Sequence, residues 1–248
     1  MSVADGVRAR SFGAVAEGYA RWRPGYPAAV LDAVLPAAAR RVLDLGAGTG
    51  KMTAALVQRG LEVVAVEPDA EMLAVLTRDV PAAHPVPGAA ELVPLPDADV
   101  DAVVVGQAWH WFDPVATGAE VRRVLRPGGT LGLAWHTHEP LEEWERALDA
   151  LDPDGGSVAA DDLTIEAMVP GVDLSRVEVT IVRWGWELTP QHVRGTHSTH
   201  SAVSTLPTGE RDARLAAVLA LAEEEAHRRG APTVLLHMAT WCALVPSP

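Results

Sequence analysis

The sequence predicts an α/β protein built on a mostly parallel sheet with helices on both faces. Three observations carry that prediction. Strand-like apolar runs alternate with helical stretches from about residue 40 to residue 135. The runs are nearly continuously apolar, as strands covered on both faces must be. The first of them ends in a turn with three glycines that leads into a helix. Crossovers between such strands should be right-handed.

Taken in order, residues 41–45 form a short apolar run stopped by glycine. Residues 52–59 read as a helix, with Thr49 as its N-cap and Gly60 just past its end. Residues 61–66, rich in β-branched side chains, read as a second strand, and Asp69 caps a helix over 70–77. A weak third strand falls at 84–87, and residues 100–105 give the strongest strand signal in the chain. A helix over 114–125 closes at Arg126-Pro127-Gly128-Gly129, and residues 130–135 form a fifth strand. The pattern then changes. An acidic amphipathic helix is expected over 141–151, a turn at Asp152-Pro153-Asp154-Gly155-Gly156 and a short helix over 161–169. Long strands are expected over 176–188 and 233–245, with partly helical stretches at 191–201 and 209–229 between them.

Composition bounds the rest. Of 248 residues, 48% are hydrophobic and 21% charged, which excludes a disordered chain. Cys242 is the one cysteine, so no disulfide framework exists within the chain. With 20 basic and 33 acidic side chains the formal charge is −13, a surface that repels phosphate backbones, so no nucleic-acid partner is expected. The N-terminal ten residues lack a leader pattern, and no apolar run approaches the roughly 20 residues of a spanning helix. The expectation is a cytoplasmic protein without a membrane partner, monomeric or homodimeric.

The glycine turn, Gly46-Ala47-Gly48-Thr49-Gly50, lets a ligand approach the backbone and opens onto a helix N-terminus. A dinucleotide fingerprint needs G-x-G-x-x-G. From Gly46 its third glycine falls on Lys51, and from Gly48 it falls on Thr53. A P-loop fails too, because Met52 stands where Ser or Thr is needed.

Residues 43–50, Leu-Asp-Leu-Gly-Ala-Gly-Thr-Gly, resemble the first motif of the class I S-adenosylmethionine-dependent methyltransferases. Val64-Ala65-Val66-Glu67-Pro68 resembles their second strand, which ends in a ribose-binding acid. Gly88 to Leu95 resembles the adenine-side loop. Asp101 to Asp113, containing Gln107-Ala108-Trp109-His110-Trp111, resembles the fourth strand and loop of the UbiE-like small-molecule branch. Ser11-Phe12-Gly13 through Tyr19, with Arg23-Pro24-Gly25-Tyr26-Pro27, resembles that branch's N-terminal lid. The resemblance implies a Rossmann-like, mostly parallel seven-stranded sheet with an antiparallel last strand. It implies a single domain over 1–248: a helical lid (1–36), a cofactor-binding core (37–135) and a C-terminal half (136–248) with acceptor-side insertions at 136–175 and 189–231.

It also implies S-adenosyl-L-methionine as cofactor and site residues to hold it. Glu67, followed by Pro68, would accept the ribose hydroxyls. Asp44 would hold the ammonium, directly or through water. Gly46, Ala47, Gly48, Thr49 and Gly50 would leave space for the methionyl and ribose parts. Met72 and Ala89, Ala90 and Glu91 would flank adenine, although core packing explains Met72 nearly as well. Tyr19, Arg23, Gln107, Ala108 and Trp111 complete the expected cofactor set. Phe12, Trp22, Tyr26, Trp109, Trp135, His138 and Arg194 are candidates for a small-molecule acceptor. Trp109 and Trp111 alternate, so one is expected in the core and the other at the cavity. His110 is the first choice as general base, with His136 or His138 as the alternative. His136-x-His138 and His197-x-x-His200 lack a nearby carboxylate or thiolate at ligand spacing, so no metal is expected. The activity implied is methyl transfer to O, C or N of a small molecule. An RNA or protein methyltransferase, or a cofactor-binding regulator without turnover, are the alternatives.

Overall fold

The computed structural model describes residues 16–151 and 164–247. Two short helices, α1 (Ala16–Trp22) and α2 (Ala28–Val34), precede β1 (Arg41–Leu45). Then follow α3 (Lys51–Gln58), β2 (Glu62–Glu67), α4 (Ala70–Asp79), β3 (His84–Pro87), β4 (Val100–Gly106), α5 (Pro114–Val124) and β5 (Leu125–His138). The remaining elements are α6 (Glu143–Ala150), α7 (Ile165–Met168), β6 (Glu178–Leu188), α8 (Pro190–Ser198), α9 (Ser201–Ser204), α10 (Thr208–Arg229) and β7 (Val234–Pro246). The expected turn at 152–156, the start of the helix expected from 161, and Phe12 lie outside the described residues.

All seven strands join one sheet in the order β3-β2-β1-β4-β5-β7-β6. The first five run parallel, and β7 is antiparallel to both β5 and β6. This is the predicted sheet, including its antiparallel last strand. Chain order reverses between β1 and β4, so their carboxyl ends open a crevice where α/β proteins bind ligands.

Alternation along the buried strands splits the core into two layers. Leu43, Leu45, Val64, Val103 and Leu133 face α5 and Met168. Val42, Val63, Ala65 and Val104 face α2, α3 and α4 through Val34, Leu56 and Leu76. Each such side chain, fully buried, contributes about 1.5–3 kcal/mol before entropy is counted. A third layer, containing Trp144, Leu188, Val218 and Leu236, ties α6 and α10 to the far ends of β6 and β7.

Two local expectations change. Thr49 does not cap α3; Gly50 does, at φ 86°, and the helix begins one residue early at Lys51. A side chain at Gly50 would meet Leu76 Cγ at 2.9 Å, so close packing of α4 selects glycine over a hydroxyl cap. The turn at Arg126–Gly129 does not end before β5. The strand starts at Leu125, with a register shift between Val100 and Ala102 that lets Arg126, Pro127 and Gly128 loop into solvent. Asp69 caps α4 as predicted, accepting from the backbone N–H of Glu71 and Met72.

Candidate active site

The glycine turn is held from below by β2. Gly46 and Ala47 donate their backbone N–H to the Val66 carbonyl at 2.9 and 3.1 Å. A Cβ on Gly46 would lie 2.8 Å from both Ala108 Cβ and Phe112 Cζ, so the loop after β4 closes directly over bare backbone. Glu67 ends β2 and reaches back to the turn. Its Oε2 accepts from Gly48 N–H at 2.8 Å and its Oε1 from Asp69 N–H at 2.9 Å. Burial pushes this carboxyl's pKa up, against the pull of those two donors.

Asp44 lies one residue before the end of β1 and is 1% exposed. Its Oδ2 accepts from Thr53 Oγ1 at 2.5 Å, while Oδ1 has no partner. Burial raises its pKa to about 7, opposed by Thr53 and reinforced by Glu67. Thr49 Oγ1 is likewise buried without a partner. The glycine turn and the strand end before it thus carry two unsatisfied oxygens.

Two adjoining cavities open at this edge and share Tyr19, Gly46, Gly48, Gln107 and Trp111. The smaller, of about 130 Å³, lies between Glu67, Pro68 and Met72 on one side and Ala108 and Phe112 on the other. The larger, of about 260 Å³, runs from Asp44, Ala47 and Thr49 past Arg23 and Tyr26 to the far ends of β5 and β7. Gln107 holds φ 62°, a conformation rare outside glycine, and its backbone N–H is tied to the Ala134 carbonyl at 2.9 Å. That strain turns the loop after β4 over both cavities.

The larger cavity gathers histidines. His110 stacks on Trp111 at 4.5 Å, and burial lowers its pKa. His136 lies between the rings of Tyr26 (4.4 Å) and Trp184 (5.4 Å), and its Nδ1 meets Thr240 Oγ1 at 2.7 Å. Both nitrogens of His138 face carboxylates, Asp149 at 2.5 Å and Glu145 at 3.3 Å. Burial alone lowers the His138 pKa, but these two partners outweigh it and hold it above the ordinary value. Arg23 reaches the Thr199 carbonyl at 3.0 Å and lies over the Tyr19 ring. Burial pushes the Tyr26 phenol well up, so it stays protonated.

Several expected residues fall elsewhere. Trp109, not Trp111, is the core member of its pair: it is 2% exposed and donates from Nε1 to the Met168 carbonyl at 3.0 Å. Trp135 packs on Trp241 in the layer below the sheet, because its strand parity is opposite to that of His136. Trp22 meets His192 and closes on Gly195, outside both cavity walls. Arg194 is exposed on α8. Ala90 is buried in the core, Glu91 accepts from Asp113 N–H, and Ala89 bridges to Leu92; none of the three lines either of these two cavities.

Sequence reasoning missed Lys51, Thr196, Asp149, Trp186, Leu236 and Met238 as cavity lining, and read His197 and His200 only as metal candidates. His197 gives its Nδ1 to the Val193 carbonyl at 2.9 Å. Among the described residues no group of three His, Cys, Asp or Glu side chains is placed to hold a metal ion. Its place as the chain's single lysine, directly after the glycine turn, was the available signal for Lys51. The strand-borne residues carried none, since any alternating strand reads alike.

Residues 43–133 match the family described as a methyltransferase domain. The chain is 47% identical over 197 residues to an uncharacterised methyltransferase of Mycobacterium tuberculosis, covering 79% of each chain. It is 36% identical over 118 residues to the demethylmenaquinone methyltransferase of Beutenbergia cavernae, covering 47% of this chain and 49% of that one. Among solved structures, a protein assigned as a type II methyltransferase from Anaeromyxobacter dehalogenans superposes with a TM-score of 0.64. The two share 24% identity over 90% of this chain and 96% of the other, a likeness of fold.

Proposed function

Because this chain belongs to the class I methyltransferase family, we propose that it binds S-adenosyl-L-methionine across the two adjoining cavities and transfers its methyl group to a small-molecule acceptor. The observation that supports this most is the pairing of Asp44 and Glu67. Two buried carboxylates stand at the ends of neighbouring strands, on either side of a glycine turn in which a Cβ at Gly46 or Gly50 would collide with other side chains, whereas one at Gly48 would meet nothing nearer than Met72 Sδ at 3.9 Å.

The residues present fit the cofactor. Asp44 Oδ1 has no partner and would take the ammonium of the methionyl end, with Thr49 Oγ1 beside it. Glu67 would accept from the ribose hydroxyls in place of, or beside, its two backbone donors. The slot between Met72 and Ala108 suits a flat apolar-faced base. When bound, the cofactor supplies a methyl group on a cationic sulfur. The chain's own residues then have three tasks: to hold the acceptor in line, to exclude water and to leave charges compensated. Tyr19, Tyr26 and Trp111 line the larger cavity with rings. Their faces also favour a cation.

A demethylmenaquinone methyltransferase among the relatives, the modest cavity volume and the −13 charge support a small-molecule acceptor over RNA or protein. The reading also takes the protein as cytoplasmic and without a membrane partner; no described helix is long and apolar enough to cross a membrane. Calorimetry with S-adenosylhomocysteine tests the cofactor site. We expect micromolar-range binding that Glu67→Ala weakens about 10- to 100-fold, the loss of one or two charge-assisted hydrogen bonds. Absence of binding to the wild-type protein overturns the proposal. Transfer of labelled methyl from the cofactor into a cell extract then assigns the acceptor. Label in the low-mass fraction is expected, and label confined to RNA or protein would overturn the small-molecule reading.

A further inference from the structure

We propose that His110 is the general base of the transfer and that the acceptor is a phenol, held by its hydroxyl on the His110 ring and methylated on oxygen. The proposal rests on the methyl-transfer reading above and adds the chemical class of the acceptor.

Five histidines line the larger cavity: His110, His136, His138, His197 and His200. Their nitrogens are not equally open. His136 Nδ1 meets Thr240 Oγ1 at 2.7 Å, the ring also bonds the Gly25 backbone, and burial pushes its pKa down to about 4. His138 faces Asp149 and Glu145, one on each nitrogen, so both nitrogens are called on to donate. His197 is buried and bonds the Val193 carbonyl through Nδ1. His110 is the exposed one of the five. Burial of part of its ring lowers its pKa, and neither a hydrogen bond nor a charge contributes. At pH 7 it is therefore a neutral imidazole whose unprotonated nitrogen is free to accept.

Its mount is rigid. The turn Trp109–Trp111 is anchored by Trp109, which is 2% exposed and donates from Nε1 to the Met168 carbonyl at 3.0 Å. Trp111 N–H to the Ala108 carbonyl and Phe112 N–H to the Trp109 carbonyl, each at 3.0 Å, close the turn. Gln107 and Trp111, on either side of His110 in the chain, line both cavities. His110 thus stands on the larger-cavity side of the place where the two meet. With the base in the smaller cavity and the ammonium at Asp44, the sulfur and its methyl group fall at that junction.

An open base narrows the acceptor. A carboxylate arrives without a proton, and a neutral amine attacks with a lone pair it already has. A saturated alcohol holds its proton too tightly for imidazole. A phenol, with a pKa of about 10, comes within reach as its oxygen commits to the new bond. Leu148, Trp186, Leu236 and Met238 line the same cavity and offer an aromatic body an apolar wall. The phenol oxygen forms a bond to the methyl carbon, and its proton passes to the His110 nitrogen. The carbon–sulfur bond breaks with its electron pair staying on sulfur. The products are an aryl methyl ether, a neutral thioether and an imidazolium, which returns its proton to water.

Two measurements on the full chain test this. The first is NMR with 15N-histidine and S-adenosylhomocysteine bound, the His110 signals being assigned through His110→Gln. Phenol should shift the unprotonated nitrogen of His110 saturably, and anisole should not. His110→Gln should weaken phenol binding about tenfold and leave S-adenosylhomocysteine affinity within about twofold. The second is transfer of labelled methyl into a cell extract. The low-mass product should keep its label in mild alkali, which cleaves a methyl ester. It should lose the label to hot hydriodic acid, which cleaves an aryl ether and leaves a methyl on carbon in place. His110→Gln should cut the labelling about a hundredfold or more. An equal response to anisole, a shift on another histidine in place of His110, or label that alkali releases or acid leaves in place would overturn the proposal. So would a His110→Gln protein that labels like wild type, or one that loses S-adenosylhomocysteine and so shows a structural role. Failure of S-adenosylhomocysteine to bind the wild-type protein would strike the methyl-transfer reading instead.

Discussion

Asp44 keeps one oxygen on Thr53 and leaves the other bare in the core. Its pKa of about 7, set by burial and then by Glu67, has a thermodynamic sign. A folded-state pKa raised above the unfolded value means that the native state binds the proton more tightly. Stability without ligand is therefore greatest below about pH 4 on this group's account, and falls as pH rises towards 7. We expect Asp44→Asn to raise the melting temperature at pH 8 by an amount worth up to a few kcal/mol, seen in thermal unfolding at pH 5 and pH 8. The same change should abolish S-adenosylhomocysteine binding. In the wild-type protein a cationic ammonium at Oδ1 needs the ionised carboxylate, so affinity should climb between pH 6 and pH 7.5. A flat affinity profile would show that Asp44 does not meet the ammonium. The glycine turn, Asp44 and Glu67 were legible in the sequence because one strand and the turn after it contain the whole pattern. The hydroxyl of Thr240 was invisible there, since its meaning depends on a histidine 104 residues away.

Helices and strands show a division between legible and hidden structure. Strands β1, β2, β4 and β5 were legible because burial on both faces leaves continuous apolar runs, whereas β3, a half-exposed edge strand, gave only a weak signal. The seating of α8 against α1 was not legible. It depends on the Trp22 carbonyl accepting from Thr196 Oγ1 at 2.9 Å across 174 residues, and on a Gly195 that leaves room for the Trp22 ring. Gly195→Ala should push that ring aside, destabilise the fold by about 1–3 kcal/mol and lower S-adenosylhomocysteine affinity several-fold. Thermal unfolding and calorimetry check the two effects, and an unchanged affinity would show that this packing does not position the site. Helix α6 is fastened differently, through the His138 bridge to Asp149 and Glu145 and through Glu145 to the backbone N–H and ring of His237. His138 titrates above its ordinary value, so its contribution is full below about pH 6 and is lost as pH rises through the raised pKa. His138→Asn should cost about 1.5–3 kcal/mol at pH 6, the scale of hydrogen bonds to charged groups, and much less at alkaline pH. Equal losses at both pH values would contradict a charged bridge.

Across the whole molecule the sheet has unequal strands. β1 has 5 residues, while β5 has 14 and β7 has 13. Past the level of Leu45, β5 continues for the five residues 134–138 and β7 for the nine residues 234–242, about 17 and 30 Å at about 3.3 Å per residue. This upper part carries His136, His138, Leu236 and Met238 on the larger cavity, with Trp186 added by β6. The glycine-turn end, where we place the cofactor, is by contrast made of turns at the tips of short strands. Trp186→Ala should therefore change which low-mass compounds in an extract accept label while leaving S-adenosylhomocysteine affinity within about twofold, a difference far below the roughly 1.4 kcal/mol of a tenfold change. A parallel loss of cofactor binding would show that the two ends are not separable. A stiff panel that rises clear of the nucleotide half works like an interchangeable faceplate. Its outward positions can be rewritten, one alternate residue at a time, while the machinery that delivers the methyl group is left untouched, so new chemistries on this scaffold should arise first along the tops of β5, β6 and β7.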